Sequence, residues 1–412
     1  MMLLVVGHPL TIAWNQRKYV AMKRVEPGLR LRVVVPRQIH HTFGTYPWEI
    51  HPELGPGEVR PLASMFSRSH MTLVLNPVGL AKILREYRPD VIHVEEEPQA
   101  MMAVWTIRLR GAICPQAAVT LFTWDNLHRP HRFPLGALKK KLRSYSLQRA
   151  AAVVCGNREA EHLLRKNDGY RGVTAVLPQF GLDPDDHLPR PEPALKAQLG
   201  LRDGIAVGYA GRLVPEKGLE LLLEALSGLA EIPWKLVLVG DGPLRARIHD
   251  HWMPRFPGRI LHVPAVPHGE VPRYLRCLDI FVLASYATPR WKEQFGLTLA
   301  QAMMLGIPSI ASSSGAIPEV AGPGALIFEQ DNLESLRHAL QTMLLSEPCR
   351  RELGARAREF ALRHYTHREI AASYLTVFEK ARTLCTATPR GSTPDRALQL
   401  CQEGSAARAE KV

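Results

Sequence analysis

The chain has 412 residues, 46% hydrophobic and 22% charged, so it is long enough for two domains with full cores and has the composition of a folded soluble protein. Its cysteines (Cys114, Cys155, Cys277, Cys349, Cys385 and Cys401) lie far apart, which argues against a disulfide framework or a zinc site and for a reducing cytoplasm. Net charge is +13 and uneven: residues 1–190 hold 26 Lys/Arg against 16 Asp/Glu, the remainder 26 against 23. A basic first half suits a phospholipid surface, a lipid pyrophosphate or a nucleic acid, or is simply solvated surface. No run of about 18 apolar residues occurs, so no spanning helix is expected. The opening MMLLVV is too short for a signal peptide and reads as a first buried strand.

That strand ends at Gly7, and the loop after it carries His8 and Thr11. In an open α/β sheet ligands gather at the carboxyl ends of strands, so both residues should face a crevice. RLRVVVP (30–36) is a second strand, and residues 37–70 form a long connection of unassigned structure. GLAKILREY reads as a helix, and RPDVIHVEEEP as a turn, a buried strand and an acidic loop. Glu95, Glu96 and Glu97 there suit either sugar hydroxyls or a helix start. AVTLFTWDNLHR is another strand, whose end presents Trp124, Asp125, Asn126 and His128.

Residues 132–149 place Leu135, Leu138 and Leu142 at helical spacing, with Lys139, Lys140, Lys141 and Arg143 around them. Such a helix lies on an anionic membrane or packs its apolar side into a core. AAVVCGNREAEHLLRK is strand, turn and helix, and AVLPQFGLD closes a first domain at residue 182. The proline- and acid-rich DPDDHLPRPEP opens an expected linker, 183–204. A second domain, 205–363, begins with IAVGYAGRL, a strand and glycine turn, followed by the helix PEKGLELLLEALSGL. Gly211, Arg212 and Lys217 sit between them, at the strand's ligand-binding end. WKLVLVGDGPLRARI repeats the design, and ILHVPAVPHGEVPRYLRCLDIFVLAS adds two more strands. An amphipathic helix spans 364–384, and residues 385–412 are expected to be disordered.

Residues 285–310, SYATPRWKEQFGLTLAQAMMLGIPSI, are a charged loop that becomes an apolar helix and then a strand. Helix openings leave backbone N–H groups unpaired and carry partial positive charge, which suits phosphate oxygens. Gly296 lets a ligand approach the backbone, and Gln301 lies one turn into the helix on the face of Leu297. The stretch resembles the donor-site motif of the retaining family-4 glycosyltransferases: Glu, seven residues, Glu, with Phe-Gly inside. Glu293, Phe295, Gly296 and the ending MLGIP match, whereas the second Glu is Gln301.

The resemblance implies two Rossmann-like doubly wound α/β domains facing across a cleft (the GT-B fold), with the first on the acceptor side and the 364–384 helix crossing back to it. It implies transfer of a sugar from a nucleotide-diphosphate donor to a glycan or lipid-linked acceptor, with no further cofactor and no nucleic acid. Glu293 would hold sugar hydroxyls and Gln301 the ribose diol, while Arg212 and Lys217 neutralise the diphosphate. Gly211 and the amides of Phe295, Gly296 and Leu297 would line the donor, and backbone around Val263 to Val266 would meet the base. Many relatives place a His near the transferred sugar at the end of the strand before Trp124; here that role would fall to Asp125, Asn126 or neither, and Asp125 is the chosen candidate. His8, Glu96, Asn126 and His128 are the acceptor-side candidates, and Glu319 resembles a supporting glutamate. No metal is expected, because no Asp-x-Asp pair of metal-binding form ends a strand. An anionic membrane at the inner face of the cell would meet Lys139, Lys140, Lys141 and Arg143. A dinucleotide oxidoreductase would need Gly-x-Gly-x-x-Gly, which GYAGRLVPEKG is not. A non-catalytic GT-B protein that binds a nucleotide sugar or glycan as subunit or sensor is the alternative.

Overall fold

The computed structural model describes residues 1–41, 44–128 and 135–386, arranged as two compact units. The first comprises Met1–Gly181 and the chain from His367; the second is Leu182–Thr366.

In the first unit the main sheet contains β1 (Met2–Val6) and β2 (Arg30–Pro36). A small antiparallel hairpin, β3 (Gln38–His41) and β4 (Gly44–Pro47), precedes the sheet strand β5 (Val59–Leu62). A second short hairpin pairs β6 (Ser64–Met65) with β7 (Val74–Leu75). The sheet continues with β8 (Val91–Val94), β9 (Ala118–Thr123), β10 (Ala152–Cys155) and β11 (Val173–Val176). These seven strands are parallel, in the order β11-β10-β9-β8-β1-β2-β5. A parallel sheet is covered on both faces, so its strands are apolar throughout. Along β1, Leu3 and Val5 enter one core and Leu4 and Val6 the other, as the two-residue strand period requires. The helix His367–Thr386 packs on the Leu3 face through Ile370, Tyr374 and Phe378.

In the second unit the strands are β12 (Ile205–Ala210), β13 (Trp234–Val239), β14 (Ile260–Val263), β15 (Ile280–Leu283), β16 (Ser309–Ser312) and β17 (Ala325–Phe328). They form a parallel sheet ordered β14-β13-β12-β15-β16-β17. Chain order reverses direction between β12 and β15, and between β1 and β8 in the first unit. Crevices open at such switch points, outside the strands' carboxyl ends.

Three expectations need correction. Residues 183–204 are not a free linker but belong to the second unit: Leu201 is in its core, His187 is buried, and Glu192 pairs with Arg276 at 2.9 Å. The last helix begins at His367, because a separate helix, Glu347–His364, ends before it. Leu138 is 53% exposed and Arg143 only 7%, the reverse of an apolar side with a basic remainder. Helical spacing instead puts Arg143, Ser146 and Leu147 on the buried stripe of the helix Leu135–Leu147. The expectation of a disordered tail falls, from residue 387 onward, outside the described residues. Among the described residues no helix is long and apolar enough to cross a membrane.

Candidate active site

The second unit builds its site where β12 and β15 part. After β12, Gly211 turns the chain with φ +152°, and its N–H donates to Val239 O. The turn after β13 packs directly upon it: a Cβ on Gly240 would lie 1.9 Å from Gly211 O. Gly218, at φ +67°, starts the helix Leu219–Ser227, and a Cβ there would lie 2.0 Å from Ala284 O. Only glycine therefore brings the loop of Lys217 against the end of β15.

Lys217 Nζ lies 2.5 Å from Glu293 Oε2, which also accepts from Ser285 Oγ at 3.0 Å. The face of Trp291 sits 4.9 Å from the same ammonium, a cation–π arrangement. Glu293 is 8% exposed. Its carbonyl accepts from Ala316 N–H at 3.1 Å, and a Cβ on Gly315 would lie 2.5 Å from that oxygen. The backbone around Glu293 is thus fixed from both sides.

Three residues on, Gly296 (φ +82°, ψ 58°) begins the helix Leu297–Met304 without a side-chain cap. A Cβ on Gly296 would lie 3.8 Å from Glu293 Cγ, so the helix opening and the carboxylate are neighbours. Phe295 anchors the turn edge-on against Tyr365 at 5.5 Å, and Leu297 is half-buried. Gln301 is fully buried, and its Oε1 has no hydrogen-bond partner. Arg212 is exposed, and among the described residues no carboxylate pairs with it. Tyr209 Oη donates to Arg212 O at 2.8 Å. Burial, with the Glu293 carboxylate, pushes the Tyr209 hydroxyl far above its ordinary value against the pull of Arg212, so it stays a neutral donor. Val263 lies two strands away on the edge strand β14, and its carbonyl accepts from Gly240 N–H. Val266 follows in the loop beyond, half-buried.

At the switch point of the first unit, Glu96 Oε1 accepts from the backbone N–H of His8 at 2.7 Å and meets its Nδ1 at 2.6 Å. His70 stacks on His8 with ring centroids 5.4 Å apart. Thr11 is buried and donates to His8 O, so it shapes the loop and does not face a crevice. Glu97 accepts from Thr123 Oγ1 and from Trp124 N–H. Burial, opposed by Arg143 and reinforced by Asp125, raises the Glu97 carboxyl to about 7. Asp125 keeps a third of its side chain exposed, 3.9 Å from Arg143. Asn126 is buried, as Glu96 is, and His128 is exposed and bonded to Asn167.

Arg143 donates from Nε to Asp168 at 2.7 Å and from Nη1 to Gln99 at 2.8 Å, so it is not available to a membrane. Lys139, Lys140 and Lys141 are exposed. Arg143→Ala strands three carboxylates around a buried position and should cost about 3 kcal/mol in chemical denaturation. Alanine at the three lysines should stay within about 0.5 kcal/mol of wild type.

The sequence profile described as "Glycosyl transferases group 1" matches residues 192–360, and "Glycosyl transferase 4-like domain" matches 15–179. The chain belongs to the group 1 glycosyltransferases, with the GT-B fold. The chain is 26% identical to a sulfoquinovosyl transferase of Arabidopsis thaliana, over 71% of the chain and 57% of the relative. It is 28% identical to spore coat protein SA of Bacillus subtilis, over 46% of the chain and 52% of the relative. The chain thus matches only a little over half the length of these relatives. Among solved structures, HepE of Anabaena in complex with UDP superposes with a TM-score of 0.69 at 16% identity, covering 92% of this chain and all of that one.

Of the residues that the sequence suggests for a donor side, the fold brings Lys217, Glu293 and Gly296 together, with Gly211 and Arg212 on the turn that Tyr209 holds. On the acceptor side it joins His8 to Glu96. Ser285, Trp291, Tyr209 and His70 escaped the sequence reading. Ser285 ends a strand beside the motif and so was open to the strand-end rule. Trp291, Tyr209 and His70 carry no such mark.

Proposed function

We propose that this chain is a retaining glycosyltransferase that moves a sugar from a nucleotide-diphosphate donor to a glycan or lipid-linked acceptor. It would serve cell-surface polysaccharide or glycolipid synthesis at the cytoplasmic face of a membrane. The observation that carries the reading is the contact between Lys217 and Glu293, at the switch point of the second unit and beside an uncapped helix start. Departure of a diphosphate requires its charge to be offset while oxocarbenium character develops on the sugar. Arg212, Lys217 and the first amides of the helix Leu297–Met304 are fixed donors for that charge, the role a metal ion fills elsewhere. Glu293 takes the sugar hydroxyls and Gln301 the ribose diol. The solved complexes of HepE with UDP and with UDP-glucose support a nucleotide-sugar donor. The likeness to a spore coat protein supports a cell-surface product.

The test is turnover with a panel of UDP-, GDP- and ADP-sugars, reading nucleotide release and the anomeric form of the product. Retention of configuration is expected, and Glu293→Gln should lower the rate at least about 100-fold. An inverted product would overturn the retaining assignment. A second reading, a non-catalytic protein that binds the nucleotide sugar, is favoured by Gln301, which stands where the family motif has a charged residue. Nucleotide binding without turnover on any donor would select it.

A further inference from the structure

We propose that the hairpin β6–β7 and the turn after Met65 form a membrane-inserting tip that docks the first unit on an anionic phospholipid bilayer. Met65 is 50% exposed and Phe66 72%, two large apolar residues in succession on a turn. Phe66 holds φ +55°, a conformation that costs a bulky side chain energy, and its carbonyl is fixed by Thr72 Oγ1 at 3.0 Å. The base of the hairpin is sunk in the core through Leu73, Val74 and Leu75. A rigid stem thus presents an apolar end to solvent, the reverse of what burial alone would select.

Neighbouring elements extend the same corner. Val78, 78% exposed, lies in the first turn of the helix Pro77–Tyr87, and a Cβ on the next residue, Gly79, would lie 2.9 Å from Leu62 at the end of β5. From residue 59 to residue 85 the chain holds Arg60, Arg68, Lys82 and Arg85, all exposed, and no Asp or Glu. Lys82 pairs with Glu86 at 3.8 Å, but among the described residues no carboxylate pairs with Arg60, Arg68 or Arg85. Exposed apolar side chains accompanied by such cations match an anionic lipid interface, where acyl chains take the apolar groups and head groups meet the cations. This surface is separate from Lys139, Lys140 and Lys141, on a different helix. At its other end the same loop carries His70, stacked on His8 beside Glu96. A bilayer held at Phe66 would therefore bring head groups toward the acceptor-side residues, a consequence that rests on the function proposed above.

The experiment is vesicle flotation of the full chain, with vesicles of phosphatidylglycerol and phosphatidylcholine in equal parts compared with phosphatidylcholine alone. It needs no donor and no turnover, so its outcome is independent of the catalytic reading. Wild type should float with the anionic vesicles and lose most binding at high salt. The double variant Met65→Ser, Phe66→Ser should weaken partition about tenfold with an unchanged circular-dichroism melting curve, since both residues are exposed. Arg60→Glu with Arg68→Glu should abolish the preference for anionic vesicles. Unchanged flotation of the serine variant, or loss of binding only when Lys139, Lys140 and Lys141 are removed, would overturn the proposal. So would gel filtration showing a wild-type dimer that the serine variant dissolves.

Discussion

Arg212→Ala is expected to lower kcat by about 10²- to 10³-fold while leaving the free energy of unfolding within about 0.5 kcal/mol of wild type. The side chain is exposed and no carboxylate among the described residues pairs with it, so folding does not depend on it. Its backbone stands on a turn held by Tyr209 and by close glycine contacts, and on the proposed function its guanidinium meets the diphosphate. Lys217→Ala should show a similar kinetic loss together with a stability loss of about 1.5–3 kcal/mol, because the buried Glu293 carboxylate loses its ammonium. Initial-rate kinetics with parallel urea melts separate the two patterns. An Arg212→Ala enzyme that turns over at the wild-type rate would remove Arg212 from the chemistry.

Lys18→Met should be the most damaging single change to stability, about 3–5 kcal/mol. Lys18 and Glu95 are both fully buried and paired, and the Lys18 ammonium lies 3.9 Å from the Tyr374 ring centroid. Tyr19 Oη donates to the same carboxylate, and Gln179 Nε2 donates to its other oxygen at 2.7 Å. The cluster therefore ties the helix Arg17–Val25, the end of β8, residue 179 and the helix His367–Thr386 together within the first unit. Removing one charge strands the other in a dry interior; the double variant Lys18→Met, Glu95→Gln should recover part of the loss. Burial would push the Glu95 carboxyl up, but Lys18 and His93 hold it far below the ordinary carboxylate range. A carboxyl depressed in the folded state contributes stability that is complete above its unfolded value, near 4, and disappears on acidification below it. The wild-type acid limb should accordingly be steep between about pH 4 and pH 2, and flatter in the double variant.

The second unit was the more legible one because its markers are local. A buried strand, a glycine turn and a helix follow one another within residues 205–227, and the Glu293–Gly296 stretch carries its own chemistry in sequence. The first unit hid more, since its polar groups find partners far along the chain. Arg143 reads as the last member of a basic run, yet its partner Asp168 lies twenty-five residues on. Glu95 reads as part of an acidic loop, although Lys18 and Gln179 enclose it. The proline-rich segment 183–193 has the composition of a linker, but Glu192 and His187 are held by the second unit's own groups. In each case composition gave the polarity of a segment and only the tertiary partner decided its burial.

The claim that the rest depends on is that Arg212, Lys217 and the helix start at Gly296 together receive a diphosphate. Isothermal titration of wild type and Arg212→Ala with UDP, GDP and ADP, each beside its bare nucleoside, tests it most directly. One diphosphate should bind wild type and bind Arg212→Ala at least about tenfold more weakly, with the nucleoside indifferent to the change. Equal affinity of every diphosphate for both proteins, or binding no stronger than the nucleoside's, would contradict it.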